Sequence, residues 1–365
     1  MANVQLPRRP ARAVCFGSWA LGVGIFAAAS TAAHDPIATK VTWTREIQPL
    51  LARKCTSCHS QGGFSFPLTS YDEARPWAVA IKEETLAGEM PPWGAAPGIG
   101  HFVNDRRLTR HEVELIAAWV DGGAPLELPT PKSQPPSPNV QLPLPKTESE
   151  TPGTRVPLAT TVIEAASERT ASVTLQVPAG TALTAWSFNA GAAALVERVD
   201  LEIAHRWLGT WTPGDPQIAF PSDAAVSLGV SALFTARIWY RAPAERTIDQ
   251  SGIVIWTTRE GRPKTVRETT VVRSWRAVAP VEVFALRPAG AAPVDVVARF
   301  ADGRIEPLGA FAPLPDEAAH PTYRLARPLS LAIGARVETT GPVRLLYTEG
   351  ATRTVKPNVR RRPRR

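Results

Sequence analysis

The run Cys55-Thr56-Ser57-Cys58-His59 carries the clearest chemistry in the chain. Its C-x-x-C-H spelling is the one that covalent c-type haem attachment requires. Two thiols three residues apart can each add to one vinyl group of the macrocycle, and the imidazole that follows then faces the iron from one side. Haem iron takes a second axial group, commonly methionine in electron-transfer proteins. The chain has two methionines, Met1 and Met90, and the first is the initiator. Met90 lies in Gly88-Glu89-Met90-Pro91-Pro92-Trp93, 31 residues after His59, far enough for one helix and a return loop. His59 and Met90 are the expected axial ligands of one covalent haem c, with Cys55 and Cys58 as its thioether anchors. His101, His111 or an open coordination position are the alternatives to Met90.

The segment from Thr42 to Asp121 reads as helical and has to position these groups. Ile47, Leu50 and Leu51 are spaced i, i+3, i+4 and lead a helix into the cysteines. Pro49 starts that helix or kinks it. Ser70 and Glu73 form a capping box that opens a helix through Ala78, Val79, Ile81 and Leu86. Gly88 ends this helix, so Met90 falls on the loop beyond. Thr109 and Glu112 form a second box, and the helix after it carries Val113, Ile116, Ala117 and Val120 and stops at Gly122-Gly123.

The run Phe64-Ser65-Phe66-Pro67, then Glu89-Met90-Pro91-Pro92-Trp93, Asn104-Asp105-Arg106-Arg107 and Ala118-Trp119-Val120-Asp121-Gly122-Gly123-Ala124-Pro125, resembles the small bacterial cytochrome c modules fused to other exported domains. The resemblance spans residues 42–125 and implies that Phe66, Trp77 and Trp93 pack near the haem. Ordinary core packing is the competing account of each.

Composition sets the frame. At 365 residues with 44% apolar content, the chain can build two or three packed domains. Residues 1–33 read as a secretory leader: Arg8, Arg9 and Arg12, an apolar run from Ala13 to Ala29, and small residues at Thr31-Ala32-Ala33. The apolar run is too short for a stable membrane span. Arg8-Arg9 matches a twin-arginine signal poorly, and Cys15 lies too early to be a lipid-attachment cysteine. Cleavage leaves Cys55 and Cys58 as the remaining cysteines and His34 as the N-terminus. An N-terminal histidine can chelate copper, although no partner histidine is apparent. A periplasmic or secreted bacterial location is expected, since haem attachment happens outside the cytoplasm.

The net charge of +8 comes from the ends of the chain. Three arginines precede residue 34 and six basic residues follow residue 355, which leaves the remainder at −1. A basic nucleic-acid-binding face is not supported. The tail over 356–365 reads as a solvated end, and contact with an acidic partner or anionic lipid is a secondary expectation.

Residues 125–157 hold ten prolines and read as a semi-rigid linker. Beyond it the period changes to two. Val173, Leu175 and Val177 alternate with polar residues, and Val196, Val199, Leu201 and Ile203 lie in the next run. Strand-like runs follow at Ala232–Tyr240, Ile253–Thr258, Val281–Leu286, Val294–Phe300 and Val343–Tyr347. The fold expected is therefore multidomain: a small all-α cytochrome c domain over 40–124, plus an all-β region of two jelly-roll-like sandwiches over 158–262 and 263–355.

The β region resembles the copper, ascorbate-dependent monooxygenases of the peptidylglycine hydroxylating type. The matching pieces are Leu208-Gly-Thr-Trp-Thr-Pro-Gly214, Ile238-Trp-Tyr-Arg-Ala-Pro243 with Asp249-Gln-Ser251, Val283-Phe-Ala-Leu-Arg-Pro288, and Ala301-Asp-Gly-Arg-Ile-Glu-Pro-Leu308 with Tyr323-Arg-Leu-Ala-Arg-Pro-Leu329. That family holds copper with histidines and one methionine, and this chain departs from it at each position. The histidine pair falls near Val196-Glu197-Arg198-Val199, the His-Tyr-His segment is Trp239-Tyr240-Arg241, and the His-x-His is Ala289-Gly290-Ala291. No methionine follows Met90, and only His205 and His320 remain in the region. Two lone histidines cannot build two copper sites, and arginine has no lone pair to offer. Copper is not expected.

The function these observations point to is an exported monohaem cytochrome in electron transfer. Its β region serves as a docking or structural module against a redox partner protein, such as a copper or other oxidoreductase. The alternatives are a haem-linked copper monooxygenase with atypical ligands, and a ligand-binding module.

Overall fold

The computed structural model describes residues 40–127, 153–259, 263–290, 292–314 and 319–349. The leader over 1–33 with Cys15, His34, most of the proline-rich stretch and the tail over 356–365 lie outside the described residues.

Four helices come first: α1 (Gln48–Lys54), α2 (Tyr71–Ala74), α3 (Ala78–Ala87) and α4 (Arg110–Asp121). Pro49 sits in the first turn of α1, where its missing N–H costs nothing. Both capping boxes form, with Ser70 accepting from the Glu73 N–H and Thr109 from the Glu112 N–H. Pro76 breaks α2 from α3 with a 3₁₀ turn over Arg75–Trp77, because proline cannot donate to the preceding turn. The helices enclose a small core of Trp43, Ile47, Leu50, Leu51, Ile81, Ile116 and Trp119.

Nineteen strands follow among the described residues. In the first half they are β1 (Thr154–Pro157), β2 (Thr161–Ile163), β3 (Ser167–Gln176), β4 (Ala182–Asn189), β5 (Val196–Ile203), β6 (Arg206–Trp211), β7 (Ile218–Ala219), β8 (Ala224–Ser227), β9 (Ser231–Tyr240), β10 (Thr247–Asp249) and β11 (Gly252–Thr258). In the second half they are β12 (Lys264–Val271), β13 (Ser274–Arg276), β14 (Val281–Pro288), β15 (Val294–Arg299), β16 (Ile305–Phe311), β17 (Tyr323–Leu331), β18 (Arg336–Thr339) and β19 (Val343–Glu349). One large sheet runs β1-β11-β4-β8-β12-β19-β14-β17, with β7 beside β4. Two four-stranded sheets, β3-β9-β5-β6 and β13-β18-β15-β16, complete the layers, with β2 and β10 forming a small ribbon. The β-sandwich expectation fits this region. The halves share a sheet through the parallel pairing of Lys264 and Thr265 with Ala224 and Ala225. Each half has its own apolar core, the first around Trp186, Trp207 and Phe234 and the second around Val283, Leu286, Phe311 and Tyr323.

The expected small all-α cytochrome domain is not what folds. The described residues are mostly β, with 43% of them in strands, and their helices are short, the longest having 12 residues. The described residues belong to one unit that begins at Ile37. The reason lies in the segment between α3 and α4. Ala95 bridges Phe311 on β16, and Phe102 bridges Leu325 on β17. These are the edge strands of two different sheets, so one loop caps both edges and satisfies their free backbone groups. Backbone bonds from Ala96 N to Ala310 O (2.7 Å) and from Ala326 N to His101 O (2.7 Å) hold it there. Trp93, Ala95 and Phe102 are buried in the second β core, which four short helices could not have provided. The approach is close: a Cβ on Gly94 would lie 2.5 Å from the ring of His320.

Candidate haem-attachment turn

Cys55 caps the C-terminus of α1, its N–H bonded to Leu51 O. The chain then makes one further turn, with Cys58 N and His59 N both donating to Cys55 O at 3.1 and 2.9 Å. Residues 55, 58 and 59 thus stand i, i+3, i+4 on one side of a single turn. The carbonyls of Cys58 and His59 receive Ser65 N and Leu68 N, each at 3.0 Å, so the turn is tied to the loop after it.

His59 is oriented by one bond, between Nδ1 and Phe66 O at 2.9 Å. A carbonyl only accepts, so Nδ1 carries the proton and Nε2 keeps its lone pair. Metal-ligating histidines are held in this way, by an outer partner that fixes the tautomer. Burial lowers the His59 pKa, against the smaller raising effect of the Phe66 carbonyl, which favours the neutral ring a metal needs. Burial pushes the Cys55 thiol up to about 12, with Cys58 adding to it, and raises Cys58 as well, with Arg106 opposing. Neutral sulfur is favoured at both positions, and thiol–disulfide exchange needs the thiolate.

Phe66 meets the His59 ring edge-on at 4.9 Å and stacks on Trp77 at 4.4 Å. Phe66 and Trp77 are nevertheless 40% and 46% exposed. An aromatic stack left in the open beside an imidazole is an apolar patch of the kind that a ligand or a partner covers. Met90 is placed by α3, its N–H bonded to Glu84 O at 3.2 Å just past the Gly88 cap, and its side chain is exposed. Two neutral thiols, a neutral imidazole with a free Nε2, an exposed aromatic stack and an accessible thioether make a donor set that fits haem c.

The other expectations fare differently. Trp93 lies in the second β core against Tyr323 at 4.7 Å, and its buried indole N–H has no partner among the described residues. The side chain of His101 is exposed while its backbone is paired to β17, and His111 is exposed on α4. His205 is exposed in the tight turn between β5 and β6, and His320 is buried with Nδ1 at 2.8 Å from Tyr323 Oη. No group of three or more His, Cys, Asp or Glu side chains placed to hold a metal ion occurs among the described residues.

No local motif marks what flanks the turn on its other side. Thr212-Pro213-Gly214-Asp215 forms a tight turn after β6, closed by Asp215 N to Thr212 O at 2.9 Å, with Gly214 at φ +89°. A Cβ on Gly214 would lie 3.1 Å from both Cys58 Sγ and Ser57 Oγ, so the cysteine turn rests directly on this backbone. Arg106 braces the 212–215 turn, pairing with Asp215 at 2.7 Å and donating to Pro213 O and Thr212 Oγ1 at 3.0 Å. Burial opposes charge on Arg106, but Asp215 and Cys58 outweigh it and hold its pKa up. Asn104 bonds Thr322 O and the Arg324 N–H, and Arg241 donates to Phe64 O while covering the Phe64 ring at 3.7 Å. The motif Asn104-Asp105-Arg106-Arg107 is thus a docking element, which only the identity of its distant partners could have revealed.

No family model and no curated protein matches the chain. Among solved structures, it is similar to the major capsid protein P2 from Bacteriophage PM2 at 9% identity, over 55% of this chain and 99% of that one, with a TM-score of 0.26. A likeness that slight carries no argument.

Proposed function

We propose that this chain is an exported monohaem c-type electron carrier whose haem-bearing turn is mounted on a β body. The observation that supports it most is His59, locked through Nδ1 to Phe66 O on the same turn as Cys55 and Cys58. Haem c supplies a one-electron centre when bound. The chain's part is to hold it: the Cys55 and Cys58 sulfurs would anchor it, His59 Nε2 and the Met90 thioether would ligate the iron, and Phe66 with Trp77 would pack against it. Arg106 with Asp215, and Asn104 with Thr322 and Arg324, fix the 104–107 segment to the β body, and Arg241 holds the loop after the turn at Phe64, so that the turn is presented to a redox partner protein from a rigid mount. Export follows from the leader read in residues 1–33.

The test is an absorption spectrum and metal analysis on one sample of the full chain, produced with a haem-attachment system and then loaded with copper. One covalent haem and stoichiometric iron without copper support the proposal. Stoichiometric copper in the β body would favour a monooxygenase centre instead. Met90→Ala should keep the covalent haem and open the iron to carbon monoxide; an unchanged spectrum would mean that Met90 is not a ligand.

A further inference from the structure

The interface between the two β cores is lined with arginine. Arg287 on β14 and Arg344 on β19 are direct cross-strand partners, a placement in which like charges repel. Their neighbours Leu286, Val343 and Leu345 belong to the second core, so the alternation of the strands sends both arginines toward the first. Arg344 accordingly lies over the ring of Trp207 on β6 at 4.4 Å. From β5, Arg198 joins them, its guanidinium 3.8 Å from the ring of Trp239. Burial holds Arg287 below its usual pKa; Asp200 opposes this, and both Arg198 and Arg344 add to it.

Acidic groups offset this cluster only in part: Glu268, Asp200 and Glu202 favour the charged form of Arg344, and Glu202 is itself 3.6 Å from Arg237. Asp200 is taken by the Thr210 hydroxyl, and Glu268 reaches Arg344 only at 3.9 Å. Arg287 is 8% exposed and donates through Nε to His320 O, yet among the described residues neither it nor Arg198 has a carboxylate at ion-pair distance. Three buried donors have no acceptor among the described residues: Arg198 Nε, Arg344 Nε and Trp207 Nε1. The side chain of Arg344 is 23% exposed, which leaves a way in from solvent. Converging guanidinium forks with unspent donors are what planar and tetrahedral oxyanions bind.

We propose that Arg198, Arg287 and Arg344, with the indole N–H of Trp207, bind a small oxyanion, a phosphate or carboxylate group, between the two β cores. The site does not depend on the haem reading. The test is calorimetric titration of the full chain with sodium phosphate and, separately, sodium acetate, in chloride buffer at constant ionic strength. One anion at least should bind saturably at one site per chain, and which of the two does so identifies the ligand class. Arg344→Gln should weaken binding tenfold or more, and Trp207→Phe, which keeps the ring and removes the donor, should weaken it severalfold. Arg344→Lys serves if the glutamine variant fails to fold, since it keeps the charge and loses the fork. A purely structural cluster predicts otherwise: Arg344→Gln would lower the melting temperature equally with and without the anion. That result, saturable heat with neither anion, or binding undiminished in Trp207→Phe and the Arg344 variants would each overturn the proposal.

Discussion

Asp215 holds together the 212–215 turn against which the cysteine turn rests. Its carboxylate accepts from Arg106 at 2.7 Å and from both Thr212 N and Thr212 Oγ1 at 2.9 Å. The side chains of Asp215 and Arg106 are only 5% and 18% exposed, so solvent screens the pair little. Asp215→Ala strands the guanidinium and leaves two Thr212 donors unmet, and breaking a buried pair from one side costs about 3–5 kcal/mol. Asp215→Asn keeps an oxygen for Thr212 and loses the charge, for a cost of about 2–3 kcal/mol, near the value of a charged hydrogen bond. In urea, followed by tryptophan fluorescence, the alanine variant should lower the midpoint by about 1–2 M at a slope of about 3 kcal/mol per molar. Half-molar salt should change the difference little, because buried pairs are weakly screened. Arg106→Met with Asp215→Ala should be less destabilised than the two single losses added together. An Asp215→Asn variant within about 0.5 kcal/mol of wild type would show that the carboxylate charge does not hold Arg106 in place.

Two further outcomes follow from the geometry. His320 is buried and held down to a pKa of about 4, against 6.5 when free, so the unfolded chain takes up its proton first as pH falls. Its contribution is whole above pH 6.5 and drains away between there and about 4, up to about 3 kcal/mol. The difference in unfolding free energy between wild type and His320→Gln should slope over that window, and a flat difference would contradict the placement. Gly214→Ala forces a side chain into φ +89° against Cys58 Sγ, so it should destabilise by about 1–2 kcal/mol and lower the yield of haem-bearing protein. Unchanged stability and yield would show that the turn does not seat the cysteines.

The local signals were the legible ones. Ser70 with Glu73 and Thr109 with Glu112 announce their helices because a capping box is written within four residues. The alternation over Ala232–Tyr240 and Val343–Tyr347 likewise marks β9 and β19. Long-range choices left no such trace. Nothing near Trp93 or Phe102 says that their burial partners are Phe311 and Tyr323, so a stretch that reads as a self-contained helical domain is in fact stitched into two sheet edges. Arg106 reads as one basic residue among many until Asp215 is seen beside it. Of the candidate haem-attachment turn, sequence supplies Cys55, Cys58, His59 and Met90, whereas the Phe66 carbonyl that orients His59 is a backbone group no motif encodes.

Intact mass of the full chain, produced with a haem-attachment system, decides whether Cys55 and Cys58 carry a covalent haem. The expected value is the mass of the polypeptide plus one haem, resistant to acid extraction, with bare polypeptide in the Cys55→Ala, Cys58→Ala double variant. A wild-type chain that emerges with both thiols free would contradict it.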